Sequence, residues 1–488
     1  MEKALQEARL WLRSNWIFAL RWRQKIRLRE ETFHLILAGV IGVIGGLVNL
    51  VYYVLVESIL NQVKHFTLGQ GHDQVEIAEL LEPWLRFVFP ALGSVAAGLV
   101  LHWGAQLTRG IQGNSNLLET VGIGDGRLRF RPTFIKSVSS LISISTGASI
   151  GREGAITQLT AMLASKLGQW RQWQPYRLRL MAGCGAAAGL SAAYNAPITG
   201  AVFAALIVLG SFSMNLFVPL IFASVVATMM SRTFFGIEPF YHAPNIEFQH
   251  LSQLPWFLVL SVLSGMLGAT FQILMDRGRD YFQKSKVPEH LRVALGGTLI
   301  GIIAIGFPLV WGNGYGAANR ILVGNMVWHA VLFLLVAKLF ATVIAVSSGT
   351  VGGVMTPTLL LGAALGSLFG SGLHAMHCGL VLPTAAFALV GMGGTLAATL
   401  HSPLLAMILV FEISMNYSLM PPLMLACAVA SVVARRIHPE SVYAESMRLR
   451  ELESERESVR PGSATELTVG DLMREPVPPI RESTPLPE

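Results

Sequence analysis

Within TGASIGREGAITQL, Thr146 to Leu159, Arg152 and Glu153 stand side by side in a segment that is otherwise almost free of charge. From Thr133 to Gly168 the only other Asp, Glu, Lys or Arg residues are Lys136 and Lys166. A low-dielectric setting disfavours an ionised carboxylate, whereas converging backbone N–H groups favour it. A carboxylate balanced between those effects gives up or takes a proton as its surroundings change, and can act as a gate that links anion and proton movement. The alternative is a structural carboxylate paired with Arg152, although adjacent helix residues do not face each other.

Three glycine-flanked elements have the chemistry to hold an anion: GNSNL (113–117), GREGA (151–155) and GGVMTP (352–357). Each precedes an apolar segment that can form a helix. The first N–H groups of a helix have no intrahelical partner, and the macrodipole places roughly half a positive charge at that end. Glycine allows close approach of the backbone, so several such ends meeting at one point form a site for a small anion. Ordinary turns are the plain alternative for any one of them.

The elements that must position these residues are membrane helices. The chain has 488 residues, 52% hydrophobic and only 13% charged, against about a quarter charged in soluble domains. Leu180–Ser231 and Leu339–Phe411 contain no Asp, Glu, Lys or Arg. Each far exceeds the roughly 20 residues of one crossing helix, so each folds back at least once. Apolar stretches such as 134–168 and 180–209 carry Gly and Pro interruptions, and loose backbone survives in lipid only under protein or beside a water-filled cavity. The expected fold is an all-α polytopic bundle with broken helices.

That bundle reads as internally duplicated. CGAAAGLSAAYNAPITGAVF (Cys184–Phe203) aligns with VGMGGTLAATLHSPLLAMIL (Val390–Leu409) at an offset of 206, matching Gly185 with Gly391 and Pro197 with Pro403. TGASIGREGA aligns with SGTVGGVMTP (348–357) at an offset of 202, matching Gly147 with Gly349 and Gly151 with Gly353. A duplicated membrane bundle with breaks at matching positions in both halves points to binding sites near the membrane midplane, and whether the second half is inverted depends on an odd number of crossings per half. The halves fall roughly at 33–250 and 251–445.

Residues 1–32 are rich in Lys and Arg with Trp11, Trp16 and Trp22 interleaved, a pattern for an amphipathic helix on an anionic inner leaflet. It puts the N-terminus in the cytoplasm, and the net charge of +7 is then a membrane signal with no nucleic acid implied. Residues 446–488 are charged, then rich in Pro and Ser, and lie outside the membrane. Cys184, Cys378 and Cys427 lack CxxC spacing and read as buried apolar residues. HExxH, P-loop and His/Cys ligand patterns are missing, so neither an enzyme nor a bound cofactor is expected.

GREGA, AAYNAPITG, GGVMTP, the Glu412-containing FEISMNY and SVY at 441–443 resemble the CLC family of chloride channels and chloride/proton antiporters, over roughly residues 33–445. WGNGY (311–315) is similar to its bacterial branch. The resemblance implies a CLC-like inverted-repeat fold, a homodimer with one pore per subunit, and transport of chloride or other small anions across the bilayer, with protons as a second cargo. It makes Glu153 the gate and Tyr443 a hydroxyl donor to the anion. Gly151 and Gly154 join the anion-binding region, as does the backbone of Gly353, Val354 and Met355; the family usually has Phe at Met355. Arg152 belongs to the same segment, as a scaffold paired with local carbonyls or acidic groups. Lys136 matches the family's intramembrane lysine, against a plain snorkelling role. The family's GSGIP element is GNSNL here, so Gly113 is retained, with Asn114 replacing the serine donor and Ser115 second to it. LTVGDLMREPVPPIRESTPLPE resembles the opening of a CBS domain, which implies a nucleotide site beyond residue 488; an unstructured tail is the alternative.

Many antiporters of the family carry a proton-transfer glutamate after the NAP segment, and this chain has Leu206 and Ile207 there. Glu412 takes the Leu206 place in the second repeat, as either a supporting or a structural carboxylate. The expected function is chloride transport, passive or weakly proton-coupled. A tightly coupled chloride or fluoride antiporter is the alternative, and a transporter from another repeat family, using Glu153 and Glu412 for cation or proton coupling, is the competing class.

Overall fold

The computed structural model describes residues 30–443 apart from 68, 72, 109–115, 123, 238–240, 245, 249–250 and 378–381. Gly113, Asn114, Ser115, Cys378, the basic N-terminal segment and the CBS-like tail therefore lie outside the described residues. The first half comprises α1 (Glu30–Lys64), α2 (Gln74–Leu80), α3 (Pro83–Leu107), α4 (Leu117–Gly122), α5 (Phe130–Ser145), α6 (Glu153–Trp170), α7 (Pro175–Tyr194), α8 (Pro197–Phe203) and α9 (Met214–Phe235). The second comprises α10 (Leu254–Lys284), α11 (Glu289–Gly306), α12 (Tyr315–Leu322), α13 (Trp328–Ser347), α14 (Met355–Ala375), α15 (Thr384–Leu400), α16 (Pro403–Ser414) and α17 (Met420–Ile437). With the short α2 set aside, the second series repeats the first in order. Eight of the described helices are long and apolar enough to cross a membrane.

The apolar stretches that carry Gly and Pro interruptions are broken in matching places. The 134–168 stretch is two helices, α5 and α6, separated by a turn in which Gly147 has φ 102°; its mate Gly349 has φ 94° between α13 and α14. The 180–209 stretch breaks at Asn195, φ 57° ψ 31°, and the corresponding break between α15 and α16 is at His401, φ 52° ψ 28°. Each of those left-handed residues is followed by one non-helical residue, Ala196 or Ser402, and then by Pro197 or Pro403 in the first helical turn. Proline is tolerated there because its missing N–H is one of the helix's unpaired donors anyway.

Packing repeats as well. α6 lies on α7 as α14 lies on α15, and α1 lies on α9 as α10 lies on α17. Two repeat-related glycines make the inner crossings possible. A Cβ on Gly185 would sit 2.7 Å from Ala161 Cα and 2.8 Å from Thr160 O, and one on Gly391 would meet the carbonyl of Gly362 and lie 3.1 Å from Gly366 Cα. Small residues let membrane helices approach to backbone contact, where dispersion replaces the missing hydrophobic drive. α7 from Leu180 and α15 from Ala385 are accordingly buried along their whole remaining length.

One irregularity separates the halves. After Phe203, residues Ala204–Leu209 continue as a π-helical turn that ends at Gly210, φ 64°. The corresponding α16 is α-helical up to Met415, φ 52°. The first half thus holds one residue more between its proline and its left-handed cap.

Substituting Ala for Gly185 or Gly391 forces backbone apart at a helix crossing, and overpacking of this kind costs about 1–3 kcal/mol. Thermal unfolding of the detergent-solubilised protein should show both variants melting below the parent, by similar amounts.

Candidate functional site

The centre of the molecule is a backbone pair. Gly151 N–H donates to Gly353 O and Gly353 N–H donates to Gly151 O, both at 2.8 Å. The bridge is antiparallel and joins residues that the repeat makes equivalent. Two positions further on in each half, α6 and α14 begin, preceded by Arg152 and Val354, neither of which caps its helix with a side chain. Two helix N-termini, with their unpaired N–H groups, therefore start beside one point.

Glu153 fills that point. It is only 3% exposed, and its carboxylate accepts from Thr356 N at 3.3 Å and from Thr356 Oγ1 at 3.1 Å. Thr356 Oγ1 is in turn 2.9 Å from Tyr194 Oη. A Cβ on either Gly151 or Gly353 would collide with the Glu153 carboxylate, so both glycines leave the space that the side chain occupies. Thr356 escaped the sequence reading, although it directly follows Met355 in GGVMTP and is the repeat mate of Gly154.

Two cavities flank this junction. One, of about 480 Å³, is bordered by Glu153 together with Asn116, Lys136, Thr157, Glu289 and Tyr443. The other, of about 440 Å³, is bordered by Arg152 together with Tyr53, Glu57, Asp73, Tyr315 and Arg320. Adjacent residues of one helix start thus face different cavities. Gly154, Gly353, Val354 and Met355 border the first cavity, in the company of Tyr443. The loop with Asn114 and Ser115 is not described, but the next residue, Asn116, lines the same cavity and its Oδ1 accepts from Leu118 N at 3.4 Å.

Arg152 differs from expectation. Its guanidinium lies 5.5 Å from the Tyr53 ring centre and 6.0 Å from that of Tyr315, and it makes no ion pair with a carboxylate among the described residues. Aromatic faces take the place of the anticipated carbonyls or acids, an arrangement that favours Arg over Lys. The rim of this cavity is pinned by Arg320, which reaches Glu79 of α2 through two contacts, at 2.7 and 2.8 Å. Burial raises the Asp73 carboxyl above its usual range, and its oxygen accepts from Gln74 N at 2.7 Å.

Glu412 is occupied. Its carboxylate accepts from Ile198 N at 2.9 Å, Thr199 N at 2.7 Å and Thr199 Oγ1 at 2.6 Å. A side chain of the second half thereby caps the N-terminus of α8 in the first, where Ala196 has no capping side chain. Because of the π turn, Glu412 aligns with Leu206 when counted from Pro197 and Pro403, but with Ile207 when counted from Gly210 and Met415.

Lys136 has a mate that the sequence reading missed. An offset of 202 carries Lys136 to Lys338 on α13, which is 0% exposed and donates to Val310 O at 2.9 Å and Gly312 O at 2.8 Å. The repeat offset was signal enough to find it. Lys338 fixes the loop that leads into Tyr315, whereas Lys136 borders the Tyr443 cavity.

The family model described as voltage gated chloride channel matches residues 92–435. A protein of Ralstonia nicotianae (strain ATCC BAA-1114 / GMI1000), named as ClcB-like, is 40% identical over 418 residues, covering 85% of this chain and 96% of that one. The voltage-gated ClC-type chloride channel ClcB of Escherichia coli O17:K52:H18 (strain UMN026 / ExPEC) is 34% identical over 377 residues, covering 76% and 88%. Among solved structures, that of a slow cyanobacterial Cl−/H+ antiporter superposes with a TM-score of 0.72 at 23% identity, covering 88% of this chain and 100% of that one. These matches displace the competing idea of a transporter from another repeat family. With its paired halves, its glycine-opened helix starts and these relatives, the chain belongs to the CLC family.

Proposed function

We propose that the protein carries chloride through a pore in each subunit of a homodimer, passively or with weak coupling to protons, and that Glu153 is the gate. The observation that carries this reading is the position of the Glu153 carboxylate, held by Thr356 where two helix N-termini begin and where two cavities approach each other. Ionised, the carboxylate takes the place of an anion beside those N–H groups. Protonated, it gives up the charge that the helix ends favour, and a chloride ion competes for the same donors. Tyr443 and the backbone of Val354 and Met355 then receive the ion from the adjoining cavity. By the positive-inside tendency the basic N-terminal segment lies in the cytoplasm, and with the C-terminus on the same side the Tyr443 cavity opens inward.

Weak coupling follows from the residues after the NAP segment. Leu206 and Ile207 cannot titrate, and Glu412 is committed to capping α8. A tightly coupled chloride or fluoride exchanger is the second reading, favoured by one observation: Glu289 borders the same cavity as Glu153, which supplies a carboxylate on the inward path.

Liposomes loaded with chloride and given valinomycin test both. The full-length protein should release chloride faster at acid than at neutral pH, with little accompanying proton uptake; chloride-driven proton uptake against its gradient would establish the exchanger instead. Glu153→Gln should conduct at neutral pH at least as fast as the acidified parent and lose the pH dependence. Unchanged flux and pH response in this variant would remove Glu153 from the gate. Gly353→Ala, whose Cβ would displace the carboxylate, should likewise flatten the response to pH; a parental profile would show that the packed position of Glu153 is irrelevant to gating.

A further inference from the structure

We infer that Thr157 is an anion-contacting residue of the conduction path, its hydroxyl donating to an anion one helical turn along α6 from Glu153. The inference rests on the reading of the chain as a Glu153-gated chloride pathway and adds to it a contact outside the glycine elements and Tyr443.

Three observations carry it. Thr157 borders the Tyr443 cavity along with Glu153 and with the apolar side chains of Leu190 and Phe203. It is 3% exposed, yet its hydroxyl has no hydrogen-bond partner. Helical threonines commonly donate to the carbonyl four residues back. Thr160 on the same helix does so to Ile156 O at 2.9 Å, and Thr358 on α14 does so to Val354 O at 2.8 Å. Thr157 does not.

A buried hydroxyl left unpaired is destabilising, because it has given up its hydrogen bonds to water without replacement. Valine has the same shape and would fill the position without that cost, so packing alone does not call for a threonine here. Residues four apart share a helix face, and a helical side chain lies over the turn that precedes it. The Thr157 side chain therefore covers the turn of Glu153, at the edge of the cavity the two residues share. An anion that sheds water beside Leu190 and Phe203 finds in this hydroxyl a donor that those walls lack. The anion has two sources of like chemistry, a permeating halide or the Glu153 carboxylate itself turned towards the cavity, and either accepts from an O–H.

Full-length Thr157→Val, Thr157→Ser, Glu153→Ala and the Glu153→Ala/Thr157→Val double variant distinguish them, with Thr157→Ala as a second hydroxyl-free change. The readouts are valinomycin-supported chloride efflux from liposomes and calorimetric titration of the solubilised protein with chloride. Thr157→Val should melt like the parent but show about tenfold weaker chloride binding or slower efflux, the scale of one lost hydrogen bond to a charge. Thr157→Ser should restore the parental values. A deficit that persists in the Glu153→Ala background assigns the contact to the halide, and one that vanishes there assigns it to the carboxylate. Parental efflux and binding in the hydroxyl-free variants overturn the inference while leaving a conducting, pH-gated parent intact. A parent that releases no chloride overturns the pathway and this contact together.

Discussion

Gly151 and Gly353 exchange N–H···O bonds in both directions, at 2.8 Å each, where the two halves of the bundle meet. This exchange sets the distance between the starts of α6 and α14, and hence the space in which Glu153 lies. It also requires that both residues lack side chains, since a Cβ on either would occupy the volume of the carboxylate. Close backbone approach, unpaired helix N–H groups and room for one anion-sized group therefore come from a single arrangement. The glycine crossings at Gly185 and Gly391 serve the same end at longer range, holding α7 against α6 and α15 against α14 so that the two starts stay aimed at each other.

The backbone is nearly symmetric while its polar residues are not. Glu153 has Met355 as its mate, and the second half answers the carboxylate with the N–H and hydroxyl of Thr356. Lys136 borders a cavity; its mate Lys338 is enclosed and spent on two carbonyls of the loop before Tyr315. Glu412 caps a helix of the opposite half, and its counterparts Leu206 and Ile207 are apolar. Glu153 and Lys136 border the Tyr443 cavity, whereas Lys338 and Glu412 hold the scaffold. Burying an ionisable group is expensive unless its hydrogen bonds are made, and Glu153, Lys338 and Glu412 each make them.

Much of this was legible in the residues. The two offsets, 206 and 202, located the duplicated breaks, and Gly147 with Gly349 and Pro197 with Pro403 occupy equivalent turns because only certain backbones can adopt those conformations or end a helix there. The position of Glu153 at a helix start followed from its flanking glycines. What stayed hidden depends on three-dimensional neighbours. Nothing in the spacing of GREGA says that Arg152 turns towards Tyr53 and Tyr315 while Glu153 turns the other way, since both ring partners come from helices far off in sequence. The use of Glu412 as a cap for α8 is equally non-local. Lys338 could have been found from the repeat, but a lone lysine next to a long uncharged run looks like the run's boundary.

The π turn at Ala204–Leu209 has a consequence for how the two halves can be compared at all. An extra residue inside a helix rotates everything after it by about a quarter turn or more relative to an α-helical mate. From that point on, the best alignment of letters and the best superposition of backbones name different partners. A carboxylate transplanted into the first half to copy Glu412 would have two addresses, one correct by text and one correct by direction, and only the second would point where the original does. Drift of this kind lets a duplicated chain re-aim one face of one helix without disturbing the proline that starts it or the left-handed residue that ends it.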